Sequence, residues 1–189
     1  MIRIGILGDI GSGKSFVAKK FGYPIFDADF EVSKLYKTDK KIYKSLKKIL
    51  PKYFNSFPIN KKDVSYAILD KKNNLRKIVK IIHKKIREKM NVFLKKNKNK
   101  EIVILDIPLL LENKINNQKD ILVFVESKKK DRERRLKKRQ NFNLNLFNKF
   151  RKIQINPVYK KKKAQYIIKN NFTKKPVRES INKIINEIL

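Results

Sequence analysis

Cysteine is absent from the 189 residues, which excludes disulfides, thiolate metal sites and thiol nucleophiles. Histidine occurs once, as His83. A zinc site of several imidazoles is therefore excluded, and a Ser-His-Asp arrangement has a single candidate base. Acidic residues are scarce: 17 Asp and Glu stand against 50 Lys and Arg, giving a formal net charge of +33. No uncharged apolar run approaches the roughly 20 residues that cross a bilayer. The first residues, Met-Ile-Arg-Ile-Gly-Ile-Leu-Gly, start as a strand and not as a cleavable leader, so a cytoplasmic protein is expected. Glycine is the most telling scarcity. There are five, Gly5, Gly8, Gly11, Gly13 and Gly22, all within the first 22 residues.

What is present suffices for a fold. The length fits one domain with one or two insertions, and 41% hydrophobic residues exclude wholesale disorder. The positive charge invites a nucleic-acid partner. Its makeup argues otherwise, because 41 of the cations are Lys and only 9 are Arg, in a chain that also holds 26 Ile and 19 Asn. These are residues of AT-rich codons, and the cations are spread through every segment. The densest clusters, at 128–130, 132–139 and 160–163, are not interleaved with the aromatics of a stacking platform. No specific nucleic acid and no membrane is expected among the partners.

The glycines concentrate in Gly8-Asp9-Ile10-Gly11-Ser12-Gly13-Lys14-Ser15, which matches the phosphate-binding pattern G-x-x-x-x-G-K-[S/T] in full. Residues 2–7 before it read as a buried strand. Val17, Ala18 and Phe21 after it recur at helical spacing up to Gly22. Strand, glycine loop and helix in that order aim backbone amides and the positive end of a helix dipole at a polyphosphate. Lys14 then reaches the β- and γ-phosphates, and the Ser15 hydroxyl takes a place on Mg²⁺. ATP and Mg²⁺ are the cofactors expected.

Further strands are predicted over 24–27, 101–106, 121–126 and 166–169, two of them ending in Asp27 and Asp106. Helices are predicted over 30–54, 75–93, 128–139, 144–154 and from 177 onward, with a loop at 55–60. Alternating strands and helices imply an α/β protein: a parallel sheet covered on both faces, with a helical insertion between the second and third strands.

With these segments in place the chain resembles the dephospho-CoA kinases over nearly its whole length. The resemblance rests on Ile6-Leu7-Gly8-Asp9-Ile10-Gly11-Ser12-Gly13-Lys14-Ser15, Phe26-Asp27-Ala28-Asp29, Ile82-His83, and Leu105-Asp106-Ile107-Pro108-Leu109-Leu110-Leu111-Glu112. It continues through Arg135-Leu136-Lys137-Lys138-Arg139, Gln154, and Ala164-Gln165-Tyr166-Ile167-Ile168-Lys169-Asn170. It implies a P-loop NTPase three-layer fold: a core of 1–29, 101–127 and 164–189, a helical acceptor-binding insertion at 30–100, and a small helical lid at 128–163. The implied reaction is ATP-dependent phosphorylation of the ribose 3′-hydroxyl of dephospho-CoA, by a monomer. A nucleoside monophosphate kinase or sugar-acid kinase of the same architecture is the alternative, and a basic nucleic-acid-binding protein a more distant one.

The resemblance also implies site residues. Asp29, Lys14 and Arg139 are catalytic, with Asp29 as the base; the competing role for Asp29 is a helix cap. ATP is held by Gly8, Gly11, Ser12, Gly13, Lys14, Ser15, Phe16, Arg135, Arg139 and Asn170. The acceptor is held by Asp29, His83, Lys61, Leu109 and Glu112, although Glu112 could instead cap a helix. Ser15 and Asp106 bind the metal. Departures from the family pattern are Asp9 for Gly, Phe16 for Thr, Lys84 for Pro, Gln140 and Gln165 for acids, and Lys61 for Arg. The Asp9 carboxylate must point away from the phosphates, or it weakens nucleotide binding.

Overall fold

The computed structural model describes residues 1–140 and 142–189. Among them a five-stranded sheet forms with every neighbouring pair parallel, in the order β2-β3-β1-β4-β5. The strands are β1 (Ile2–Gly8), β2 (Ile25–Asp27), β3 (Ile102–Asp106), β4 (Ile121–Glu126) and β5 (Tyr166–Lys169). β1 lies at the centre, and all of β3 is buried. Such two-sided burial explains why these strands read as continuous apolar runs and not as alternating ones. Ile4, Ile6, Ile102, Ile104, Val123 and Val125 form the core with Val17, Ala18 and Phe21 of the α1 segment and Val177, Ile181 and Ile184 of α9. α1 is Lys14–Lys20 and α9 is Lys174–Ile188.

The chain divides into two compact units. One comprises Met1–Asp27, Lys96–Phe142 and Ile153–Leu189, and the other Ala28–Lys95 and Asn143–Lys152. The first, the sheet unit, carries the five strands with α1, α6 (Lys129–Lys137), α8 (Pro157–Lys163) and α9. The second, the helical unit, carries α2 (Ala28–Thr38), α3 (Lys40–Ile49), α4 (Lys61–Asp70), and α5 (Asn74–Lys96) and α7 (Leu144–Ile153), each of these last two to its last residue but one. At the strand-starting edge of the sheet, Arg3 donates from Nη2 to Oδ2 of buried Asp120 at 3.0 Å, and its Nε lies 2.9 Å from Oδ1. That ion pair ties β1 to the start of β4.

Three local features differ from the expectation. The single helical stretch over 30–54 is two helices, because the Asp39 carboxylate accepts from the backbone N–H groups of Lys41 and Ile42 and starts α3 afresh. α4 occupies a stretch where no element was expected, with Asn60 as its cap. α8 likewise starts from an Asn156 cap and Pro157. Both are short, and α8 carries only Val158 and Tyr159 as apolar residues, both exposed. α4 does bury Val64, Ala67 and Ile68 at helical spacing, but Tyr66 and Leu69 fall outside that stripe and blur the period.

Candidate active site

β1 ends in the sheet centre at Gly8, and the chain turns there into the glycine loop. Gly8 has φ 151°, and a Cβ at this position would stand 2.6 Å from Ser12 Oγ and 2.8 Å from the Val125 carbonyl. Gly13, at φ 90°, caps α1 in the left-handed region, and a Cβ there would meet Asn170 Nδ2 at 2.3 Å. Only glycine satisfies both positions. Lys14 Nζ bends over the loop and donates to the carbonyls of Gly8 (3.2 Å) and Asp9 (3.0 Å). A cation is thereby held above amides that face an anion. Ser12 is buried, and Phe16 packs half-buried against the core beneath the Lys20 ammonium.

Asn170 lies just beyond β5 and is 2% exposed. It donates from Nδ2 to the Ser12 carbonyl at 2.8 Å and accepts from the Phe172 N–H at 2.9 Å. The resemblance counts this residue among those that hold ATP, and here its side chain braces the phosphate loop.

Asp27 and Asp106 end adjacent strands and are paired in register. Asp106 is buried and accepts a hydrogen bond from the Ser15 side chain. Burial pushes its carboxyl above the usual carboxylate range, and the nearby Asp27 charge pushes the same way. The Ser15 hydrogen bond and the Lys14 charge pull it down. A desolvated carboxylate beside a hydroxyl and a second acid is a hard, all-oxygen donor set. Such a set suits a small divalent cation that shares its remaining positions with phosphate oxygens and water.

α6 lies against the loop along one face. Arg132 Nη2 pairs with Asp9 Oδ2 at 3.1 Å. One turn on, the Leu136 side chain packs where a Cβ on Gly11 would come within 3.1 Å of it. Between them the Arg135 guanidinium lies 4.2 Å from the centre of the Phe172 ring. α6 ends at Lys137, so Arg139 sits in the following turn, exposed, with its N–H donated to the Leu136 carbonyl. Arg132 and Phe172 were not singled out in the sequence. The one available signal for Arg132 is its i, i+4 spacing to Leu136, the lone buried residue of this helix.

Two acceptor candidates lie in the sheet unit after β3. Leu109 is in the left-handed region at φ 60°, and its carbonyl accepts from the N–H (3.1 Å) and Nδ2 (2.9 Å) of Asn113. Glu112 accepts from the Ile155 N–H at 3.0 Å and pairs with Lys160 at 2.6 Å, the two side chains 8% and 4% exposed. Its carboxylate ties the loop after β3 to the start of α8. In the helical unit, Asp29 is exposed in the first turn of α2, where a carboxylate complements the helix dipole, and its carbonyl accepts from Ser33 Oγ. Asp29 is thus inside the helix and not at its cap. Lys61 is the exposed first residue of α4. His83 is half-buried on α5, and desolvation, then the Arg87 charge, lower its pKa, which keeps it neutral near pH 7.

A parallel sheet in this order, a complete glycine loop with its lysine, and a serine-aspartate pair at the next strand end define a P-loop phosphotransferase. Comparison with known proteins narrows the class. The sequence profile described as dephospho-CoA kinase matches residues 2–175, and the chain belongs to that family. The dephospho-CoA kinase of Wolbachia sp. subsp. Brugia malayi is 30% identical over 190 residues, covering 98% of this chain and 97% of the Wolbachia protein. Among solved structures, TT1252 from Thermus thermophilus superposes with a TM-score of 0.78 at 23% identity, over 100% of this chain and 97% of the other. Dephospho-CoA kinase from Campylobacter jejuni gives 0.63 at 22%, over 98% and 96%. These two likenesses establish the fold.

Proposed function

We propose that this chain transfers the γ-phosphoryl group of ATP to the ribose 3′-hydroxyl of dephospho-CoA, giving coenzyme A and ADP, as its family name implies. The observation that carries this reading is the braced loop Gly8–Ser15, with Lys14 above it and Ser15 bonded to buried Asp106. The loop amides and Lys14 hold the triphosphate. Ser15 and Asp106 would hold Mg²⁺, which when bound neutralises charge on the β- and γ-phosphates. Asp29 accepts the proton of the 3′-hydroxyl as the new phosphorus–oxygen bond forms and the bond to the ADP oxygen breaks. Arg135 and Arg139 close over the phosphates as the lid, and Phe16 contributes its backbone amide. His83, Lys61, Leu109 and Glu112 belong to the acceptor side, Glu112 by fixing the loop that follows β3. The helical unit thereby becomes the acceptor-binding part of the molecule. The protein is taken to work as a cytoplasmic monomer. Among the described residues no helix is long and apolar enough to cross a membrane.

A coupled assay of ADP release tests the reading, with dephospho-CoA, AMP or no acceptor added to a folded preparation that binds ATP. Release stimulated by dephospho-CoA alone, with the new phosphate at the ribose 3′-position, is the expected result. Equal stimulation by AMP, or none by dephospho-CoA, overturns it.

A further inference from the structure

Asp9 is an anomaly at a site built for anions. Its carboxylate projects from the loop whose amides and lysine face the triphosphate, so alone it would repel the ligand the loop receives. The structure gives that carboxylate two fixed partners. Oδ1 accepts from the Ile10 N–H at 2.8 Å, which locks the side chain onto its own loop. Oδ2 receives Arg132 Nη2 at 3.1 Å, with the two side chains only 25% and 21% exposed.

Arg132 is equally fixed. Its Nη1 donates to the Ser127 carbonyl, and one turn along the same helix face Leu136 is packed against Gly11. To reach a phosphate, Arg132 would have to leave both Ser127 and Asp9. The other three arginines of this stretch are differently engaged: Arg134 pairs with Asp131 at 3.1 Å, Arg135 lies over Phe172, and Arg139 lies exposed beyond the helix end.

We propose that Arg132 is a positioning residue for nucleotide binding: it neutralises the Asp9 carboxylate and so allows a loop with an acid in its second position to accept a triphosphate. The inference rests on the reading of the loop as an ATP site. It makes α6 contribute to affinity through Asp9, separately from any arginine that touches the nucleotide.

The test is direct titration of ATP, ADP and adenosine against the unsubstituted protein, Arg132→Gln, Asp9→Asn and the double variant. Asn at position 9 keeps the acceptor for the Ile10 N–H while removing the charge. Arg132→Gln raises the ATP dissociation constant by about tenfold and that of ADP by less, and it leaves adenosine within about twofold, as expected for one uncompensated charge partly screened by water and salt. Asp9→Asn binds ATP at least as tightly as the unsubstituted protein. In the double variant ATP affinity returns to within about threefold of the starting value, because no charge is left to neutralise. ATP affinity unchanged in Arg132→Gln overturns the inference. So does a loss as large for adenosine as for ATP, which marks a purely structural role. A double variant as weak as Arg132→Gln overturns it too, since Arg132 then touches the nucleotide itself. If the unsubstituted protein binds no ATP, the reading of the loop fails and takes the inference with it. The three results before that one leave the reading intact.

Discussion

In the sheet unit the polar side chains around the site are tied to side chains or carbonyls across long stretches of chain. Asn170 holds the Ser12 carbonyl, Arg132 holds Asp9, Ser15 bonds Asp106, and Lys160 is buried against Glu112. In the helical unit the polar side chains mostly close helix ends. Asp39 caps α3 and Asn60 caps α4, while Lys149 of α7 donates to the carbonyls of Ile68 (2.5 Å) and Leu69 (2.7 Å) at the end of α4. The candidate residues there, Asp29, Lys61 and His83, lie on helix surfaces, exposed or half-buried. The sheet unit is thus preorganised by cross-links, whereas the helical unit is a set of well-capped helices that present side chains outward. A rigid cradle suits a substrate whose phosphates must be held in line. A surface of separate helices suits recognition of a larger and more varied acceptor.

Substitutions that cut one bond of each kind sharpen this contrast, in order of expected cost to the fold. Glu112→Gln leaves the Lys160 ammonium buried without a countercharge, and urea unfolding should show a loss of about 3–5 kcal/mol. Glu112→Gln with Lys160→Met should recover most of it. A small loss in the single variant would mean that the pair is not what holds α8 to the loop after β3. Asn170→Ala removes one buried and one partly buried hydrogen bond and leaves the Ser12 carbonyl without its side-chain donor. A cost of about 1–3 kcal/mol is expected, with weaker ATP binding measured by titration. Unchanged ATP affinity would separate the brace from the site. Lys149→Met opens the last carbonyls of α4 to water and should cost about 1 kcal/mol, with ATP affinity unaltered. A drop in ATP affinity there would break the division between the two units.

The smallest effect is expected at His83. Its pKa is lowered in the folded protein, so below about 6.5 the unfolded chain binds the proton that the folded one refuses. Stability should therefore fall as pH drops through that range, by more in the unsubstituted protein than in His83→Gln. Parallel pH profiles from thermal unfolding would contradict this.

The contrast also explains what the sequence made visible. The glycine loop, Lys14, Ser15 and the strand ends at Asp27 and Asp106 are contiguous patterns, and the backbone conformations they require are local. The partners that complete them are not. Arg132 is 123 residues from Asp9, and Asn170 is 158 from Ser12. One more arginine in a chain with 50 cations carries no mark of its own. α8 stayed hidden because its apolar residues are few and exposed, and α4 because Tyr66 and Leu69 outside its Val64, Ala67 and Ile68 stripe blur the period. The same abundance of lysine hid Lys160, which is buried within a run of four lysines.

The central claim is a division of labour: the sheet unit holds ATP, and Asp29 of the helical unit takes the proton. Asp29→Asn tests it most directly, with ATP affinity and the turnover of dephospho-CoA measured on one preparation. The account predicts an unchanged dissociation constant for ATP and a kcat lower by about 10²- to 10⁴-fold, the range for a lost general base. Turnover retained within a few-fold, or a loss explained by failed ATP binding, would contradict it.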